Sequence, residues 1–462
     1  MNTEVIAPSS QKIKYGKAPG PTLKNSISGL VKHPLNFIYQ SVKEYGSVVR
    51  IPMYPHATFI VTNPESVKRI LKAEEANYDK QVRTYKKLRM FTGDGIATST
   101  GETWKEHQNL TTPSFHNRYM EGFAENFAQQ VEILISQWDS FYQKGMSLDI
   151  VPYLHKLSID IGTKTMLGVD SSNDPALELQ EAMGFIFEDG PKRIYGVNPP
   201  LWVPTSRNKK TKKAIGVMDD YIYGLINRRL ESGEEIDDFL GRLVKGTKRK
   251  QGFLVDKQMV RDLTVNFLFG NRETSGNMLV WMFYLLAQNP EADEKLYNEI
   301  VTVLGDDVPT DQHLKKMQLP YAMNVVKETL RLYPTAPLLL RRAVKDDVIE
   351  GYKIPADSEV ILSPFMTHRD PRYWDAPLKF DPDRFNAERI EKVPYFAYFP
   401  FGAGGHICPG KNFALLESLI ALVMIRRKFK IELVSDPVTL IKEPALFLQP
   451  KGPIHVRLVP NK

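Results

Sequence analysis

The stretch from Asp256 to Ala287 constrains this chain more than any other, because it has helical periodicity and is apolar on nearly every side. A helix of that kind has to be covered by other helices, so it is expected to cross the centre of a helix-dominated body. Its longest unbroken apolar run, Met278 to Ala287, is roughly half of what a membrane span needs. One polar island interrupts it, Gly270-Asn-Arg-Glu-Thr-Ser275. Polar side chains that central in a helix need partners or a function.

Helical periodicity also runs over Phe123 to Tyr142, Leu154 to Leu167, Lys212 to Glu231 and Tyr321 to Tyr333. Ser47 to Met53 and Thr58 to Thr62 read as a strand pair, and Pro64 opens a short helix. Prolines and short β-rich segments return between Pro334 and Pro400, as at Glu359 to Leu362. The predicted class is mainly α with a smaller β-rich part. The predicted division is a flexible tail over residues 1–17 and one domain over 18–462. Its β-rich part comes from about 45–63 and 335–400, and its helical part from about 104–333 and 410–429.

Cys408 is the only cysteine, which rules out internal disulfides, multi-cysteine metal cages and a fused iron–sulfur domain. It lies in the glycine-rich turn Phe401-Gly-Ala-Gly-Gly-His-Ile-Cys-Pro-Gly410, which leads into an apolar helical pattern from Asn412 to Phe429. A helix N-terminus favours negative charge, so the turn is expected to present one thiolate to something large. No signal-peptide pattern opens the chain, and low cysteine use fits a reducing compartment; a cytoplasmic protein without a transmembrane anchor is expected. The formal net charge of +7 is mild for 462 residues and comes without the aromatic-interleaved basic pattern of nucleic-acid binding.

Three more elements accompany the cysteine turn. Glu328 and Arg331 share a helix face, Phe380-Asp-Pro-Asp-Arg-Phe385 offers Arg384, and the polar island carries Glu273 and Thr274. Phe401, Gly404, Cys408 and Gly410 complete Phe-x-x-Gly-x-x-x-Cys-x-Gly; Glu-x-x-Arg and Pro-x-Arg-Phe follow the expected order and spacing. Together these segments resemble the cytochrome P450 family, the heme-thiolate monooxygenases, from about Pro19 to the C-terminus.

The resemblance implies the P450 fold, with a long central distal helix and a proximal cysteine loop, and heme b (iron protoporphyrin IX) as cofactor. It makes Cys408 the iron ligand, with Phe401, Gly402 and Gly410 forming the turn beside the heme. Trp104, Arg341 and His406 are implied partners of the heme propionates. Gln108 stands where the family's Trp-x-x-x-Arg pattern has its arginine, so one charged contact becomes neutral. Glu328, Arg331 and Arg384 are implied to form a buried structural cluster, and Glu273 with Thr274 the acid–threonine pair that delivers protons. Gly270 and Asn271 depart from the usual Ala-Gly; with Phe267 and Leu338 they are expected to line the substrate pocket. Further contacts are expected from Arg83 to Ile96, Phe185 to Trp202 and Thr335 to Leu340. Pro409 lacks an N–H, which should leave the sulfur one donor short and the iron harder to reduce.

The implied activity is insertion of one oxygen atom from O2 into an apolar small molecule, such as a terpenoid, fatty acid or polyketide, in secondary metabolism. Electrons are expected from a ferredoxin or flavodoxin with its NAD(P)H-dependent reductase, and the enzyme is expected to be a monomer. Lys411, Arg426, Arg427 and Lys428 could face such an acidic donor. Arg207 to Lys213 reads as a solvated helix start or the rim of a substrate entrance. Competing readings are a heme-thiolate peroxygenase or rearrangement enzyme, and a non-enzymatic heme sensor. A dinucleotide loop is excluded, because Gly-x-Gly-x-x-Gly would need glycine at Ile407.

Overall fold

The computed structural model describes residues 16–115, 117–169, 174–196, 198–233, 236–250, 256–310, 312–313, 318–434, 441 and 446–461. Its longer helices are α1 (Leu23–Lys32), α2 (Pro34–Tyr45), α3 (Pro64–Lys68), α4 (Arg83–Thr92), α5 (Gly101–Thr111), α6 (Asn117–Gln143) and α7 (Ile150–Leu167). They continue with α8 (Asp174–Tyr195), α9 (Ser206–Ser232), α10 (Phe239–Lys250), α11 (Lys257–Gln288), α12 (Pro290–Leu304), α13 (Pro320–Leu332) and α14 (Lys411–Lys428). The predicted mainly α class holds.

The central helix is α11. Asp256 caps it by accepting from the Met259 N–H at 2.9 Å. From Val260 to Leu286 almost every side chain is buried, as an all-round apolar sequence requires. Helices α7, α9 and α14 pack against it in one continuous core, which also takes in α6. Burying one large apolar side chain contributes about 1.5–3 kcal/mol, so this helix anchors the body. At its far end Trp281 stacks on Tyr333, with ring centres 4.0 Å apart.

The strands are β1 (Val48–Ile51), β2 (Thr58–Val61), β3 (Tyr78–Asp79), β4 (Ser147–Asp149), β5 (Leu339–Ala343), β6 (Asp347–Ile349), β7 (Tyr352–Ile354), β8 (Glu359–Leu362), β9 (Lys430–Leu433) and β10 (His455–Val459). The main sheet has the order β1-β2-β8-β5-β3. β1 and β2 form the anticipated antiparallel pair, while β2 and β8 run parallel, joining the two β-rich stretches that lie far apart in sequence. A second sheet, β4-β10-β9, draws on segments outside both predicted β-rich stretches.

The predicted tail lies outside the described residues up to 15. Gly16, which had been assigned to it, instead bridges to Tyr352, donating its N–H to Gly351 O at 3.3 Å. Two residues further on, Ala18 is buried.

Candidate functional site

The cysteine turn is shaped by two glycines at positive φ. Gly402 (φ 70°) and Gly404 (φ 71°) take the left-handed conformation that side chains disfavour. At Gly404 a Cβ would also come within 1.7 Å of Leu71 O, so the turn presses directly on the chain that leads to β3. The Cys408 N–H donates to Phe401 O at 2.9 Å, closing the loop, and Gly410 starts α14.

Cys408 opens onto a cavity of about 300 Å³ between this turn and α11. Although Cys408 is exposed to this cavity, the protein packed around the turn desolvates the sulfur and pushes the thiol up; the Gly410 N–H and Lys411 pull it down, and desolvation prevails. This corrects the expectation that the helix end would by itself ionise the sulfur. A coordinated metal ion does that. Pro409 offers no N–H here, and the backbone donor to the sulfur is Gly410.

A basic corner lies at the edge of the same cavity. Arg341 on β5 is buried, and its one side-chain hydrogen bond goes to Leu340 O at 2.9 Å. Lys80, just after β3, is also buried and donates to Ile96 O at 3.0 Å. Among the described residues neither cation has a carboxylate within ion-pair distance. Burial, and then Arg341, push Lys80 down to about 7. Arg342 alternates to the other side of the strand and pairs with Asp79 at 2.5 Å, as period-two geometry dictates.

Trp104 on α5 packs against His406, ring centres 3.8 Å apart and planes tilted by 46°. Burial, with Lys80 and Arg341 close by, holds His406 neutral down to about 3, so its 3.8 Å approach to Glu75 is not an ion pair at neutral pH. Its Nδ1 is buried without a partner. Gln108 donates to Gly405 O at 3.1 Å, while Glu75 accepts from the Gly405 N–H at 2.9 Å. Two unpaired buried cations, an orphaned imidazole nitrogen and a neutral amide are a donor set suited to a dianion.

Behind the turn, Glu328 and Arg331 form a two-pronged pair at 2.7 and 2.9 Å, both fully buried. Arg384 joins at 3.3 Å, and the Asp381 N–H adds a bond at 2.9 Å. Arg331 also donates to His368 O at 2.8 Å, and the His368 ring accepts from the Phe399 N–H at 2.9 Å. The cluster thus braces the cysteine turn without reaching the cavity.

On the facing wall, Phe267, Gly270, Asn271, Thr274 and Ser275 of α11 line the cavity. A Cβ at Gly270 would meet nothing within 4 Å. Thr274 donates its hydroxyl back to Gly270 O. Asn271 Nδ2 donates to Ser158 O at 2.6 Å, tying α11 to α7.

Of the anticipated site residues, the structure gathers Cys408, Phe401, Gly402, Gly410, His406, Trp104, Arg341, Thr274, Gly270, Asn271 and Phe267 around one cavity. Three readings need correction. Glu273 is not on the cavity wall; it pairs with Arg272 and lies 3.9 Å from His155 on α7. Successive helical residues point about 100° apart, so Glu273 and Thr274 do not share one direction. Leu338 packs into a separate apolar cluster with Leu35 and Ile361, and Leu339 takes the cavity position. No residue of Phe185 to Trp202 lines the cavity among the described residues.

Two weaker sequence readings also change. The basic patch divides: Arg426 is buried against Asp293 at 2.6 Å, Arg427 bonds the carbonyls of Gly305 and Asp307, and Lys411 alone acts on the cysteine. Arg207 is tied to Asp189 at 2.5 Å and Asn198 at 2.7 Å, so the helix start it occupies is not simply solvated. Sequence reasoning missed Lys80, because a lysine is marked as special only by its burial.

Comparison with known proteins decides the family. The cytochrome P450 family profile matches residues 17–458. The chain belongs to the cytochrome P450 family. A chloroplastic cytochrome P450 97B2 from Glycine max is 30% identical over 90% of this chain and 81% of its own length. Cytochrome P450 4d2 from Drosophila melanogaster is 28% identical over 90% of this chain and 88% of its own. Cyclooctat-9-en-7-ol 5-monooxygenase from Streptomyces melanosporofaciens is 27% identical over 92% of this chain and 91% of its own. As a P450 the protein is an oxidoreductase of the heme monooxygenase class, with iron protoporphyrin IX as cofactor. Among the described residues no helix is long and apolar enough to cross a membrane.

Proposed function

We propose that this P450 inserts one atom of O2 into an apolar small molecule of terpenoid, fatty-acid or polyketide type, with electrons from a ferredoxin or flavodoxin and its NAD(P)H-dependent reductase. The observation that carries the reading is one cavity with a cysteine sulfur on one wall, a glycine-opened distal helix on the other, and unpaired buried cations at its edge. In this reading Cys408 holds the iron, while Arg341, Lys80, Trp104, His406 and Gln108 hold the propionates. When bound, the heme supplies dioxygen activation, with electron density from the thiolate.

The chain's own residues do the rest. Thr274 brings a hydroxyl to the cavity wall, and Gly270 leaves open the space that a side chain would fill. Phe267, Ile96, Ala97, Ala336 and Leu339 give the distal space an apolar lining that excludes water and disfavours highly charged substrates. The Streptomyces relative by its name oxygenates cyclooctat-9-en-7-ol, which suits a wall of this kind.

Two measurements test the reading. The reduced carbon-monoxide complex should show the long-wavelength thiolate band, which Cys408→Ser should abolish. Turnover of a ligand found by spectral screening should need reductant and redox partners; turnover with peroxide alone would favour a peroxygenase instead.

A further inference from the structure

Residues 93–100 join α4 to α5, and Ile96 and Ala97 within them line the cavity. Connecting segments of this kind are ordinarily the more mobile parts of a fold. Here the segment is fastened to α11. Asp262 and Asn266 stand four residues apart, so they share one face of that helix, and both are buried. The Asp94 N–H donates to Asp262 Oδ2 at 2.9 Å, and the Ala97 N–H donates to Asn266 Oδ1 at 3.1 Å. Asn266 Nδ2 in turn donates to Thr92 O at 3.0 Å and to Asp262 O at 2.8 Å.

The fit leaves no slack. A Cβ at Gly93 would come within 2.0 Å of Asp262 Oδ1, and one at Gly95 within 2.0 Å of Asn266 Nδ2. Elsewhere along the segment Lys80 donates to Ile96 O at 3.0 Å and Arg89 to Thr98 O at 2.7 Å. Asn266 lines the cavity itself, yet both of its Nδ2 protons are committed to carbonyls, so it has no donor to offer a ligand there. Its carboxamide holds the chain instead. One turn further along the same face comes Gly270, where a Cβ would meet nothing within 4 Å. The anchored wall and the open position are therefore set four residues apart, about 6 Å along the helix.

We propose that Asn266 is a specificity-determining residue of the distal space: its carboxamide brackets residues 92–97 onto α11 and holds Ile96 and Ala97 as a fixed wall that limits the length of an apolar ligand. Asn266 is a positioning residue that acts through those two side chains. The cavity then selects by a rigid boundary. Affinity grows with apolar length until the wall is met, and no further. Losing the bracket leaves the segment held by Lys80 and Arg89 at two carbonyls and by Asp262 at one N–H, and the boundary moves outward.

This role rests on reading the cavity as the substrate space, but its test needs no substrate. A series of n-alkylimidazoles, from methyl to dodecyl, would be titrated into the holoenzyme by difference spectroscopy, with the ring on the iron and the tail in the cavity. Each added methylene should strengthen binding about fourfold up to a break, beyond which affinity levels or falls. Asn266→Leu keeps the volume and removes the bracket, so the break should move to longer tails. Members two methylenes past the original break should gain about tenfold or more relative to methylimidazole. Gly95→Ala, which forces the segment off Asn266, should move the break the same way, and it decides alone if Asn266→Leu fails to load heme. Amide hydrogen exchange at Asp94 and Ala97 should quicken in both variants. A natural protein without a break, a break that stays in place in either heme-loaded variant, or uniform weakening of the whole series overturns the proposal. A break that moves as expected while no apolar compound is turned over supports the bracket and counts against the substrate reading alone.

Discussion

Two clusters of buried charge flank the cysteine turn, and they are built on opposite principles. Around Glu328 the charges are closed: Arg331 and Arg384 answer the carboxylate, and backbone carbonyls take up the remaining guanidinium protons. Around Arg341 and Lys80 the set is open: two buried cations face a cavity, Glu75 acts on them only from a distance, and among the described residues no carboxylate stands within ion-pair reach. A closed cluster supports the fold whether or not anything is bound. An open one is strained until an anion arrives, which is how a protein keeps affinity in reserve for a ligand.

The comparison is broken most directly on the closed side. Glu328→Gln should leave two buried guanidiniums without their carboxylate and cost about 3–5 kcal/mol, seen as loss of soluble, heme-loaded protein. On the open side the sign for the heme-free protein is opposite. Arg341→Leu or Lys80→Met should leave its melting temperature level or raised, while heme affinity falls about ten- to a hundredfold in an apoprotein titration. If the heme-free form instead melts much lower, the corner is a second structural cluster.

A pH series sharpens the same contrast. Lys80 is held at about 7 against an ordinary 10.5, so between those values the unfolded chain binds the extra proton. Stability of the heme-free protein should therefore rise with pH across that window, at most about 1.4 kcal/mol per pH unit. Heme affinity should fall above about pH 7, since the propionates want the charged amine. Lys80→Met should flatten both trends. The smallest expected effect is on the sulfur: Pro409→Leu restores a backbone donor and should raise the heme reduction potential by tens of millivolts in a redox titration. An unchanged or lower potential would leave Gly410 as the sole backbone influence on the thiolate.

The sequence made the frame legible because its signals are local. Apolar periodicity marks α11 within a residue of its observed ends, and two glycines with one cysteine outline the proximal turn. What it could not carry is direction. Glu273 and Thr274 read as a pair, yet neighbours on a helix diverge, and Arg272 with His155 holds the acid away from the cavity. Leu338 and Leu339 exchange places for the corresponding reason on an extended segment. Lys80 carries no motif at all, because what sets it apart is the low polarity around it, which only the folded chain creates. The β4-β10-β9 sheet was missed because β4 meets β10 across some three hundred residues, with nothing local to announce that pairing.

The alternation of Arg341 and Arg342 makes strand β5 a gauge for the cofactor. Leu339 to Arg342 pair with Leu362 to Glu359 in strict register, which fixes the guanidinium that reaches the cavity and the one that meets Asp79. A slip of one residue would spoil one end or the other: in one direction Arg342 takes the cavity position and Ala343 faces Asp79, in the other Arg341 meets Asp79 and Leu340 turns the cavity edge apolar. Insertions between β5 and β8 should therefore be tolerated where a single deletion inside β5 is not, so that cofactor retention reports on the alignment of a sheet whose strands lie far from the iron ligand in sequence.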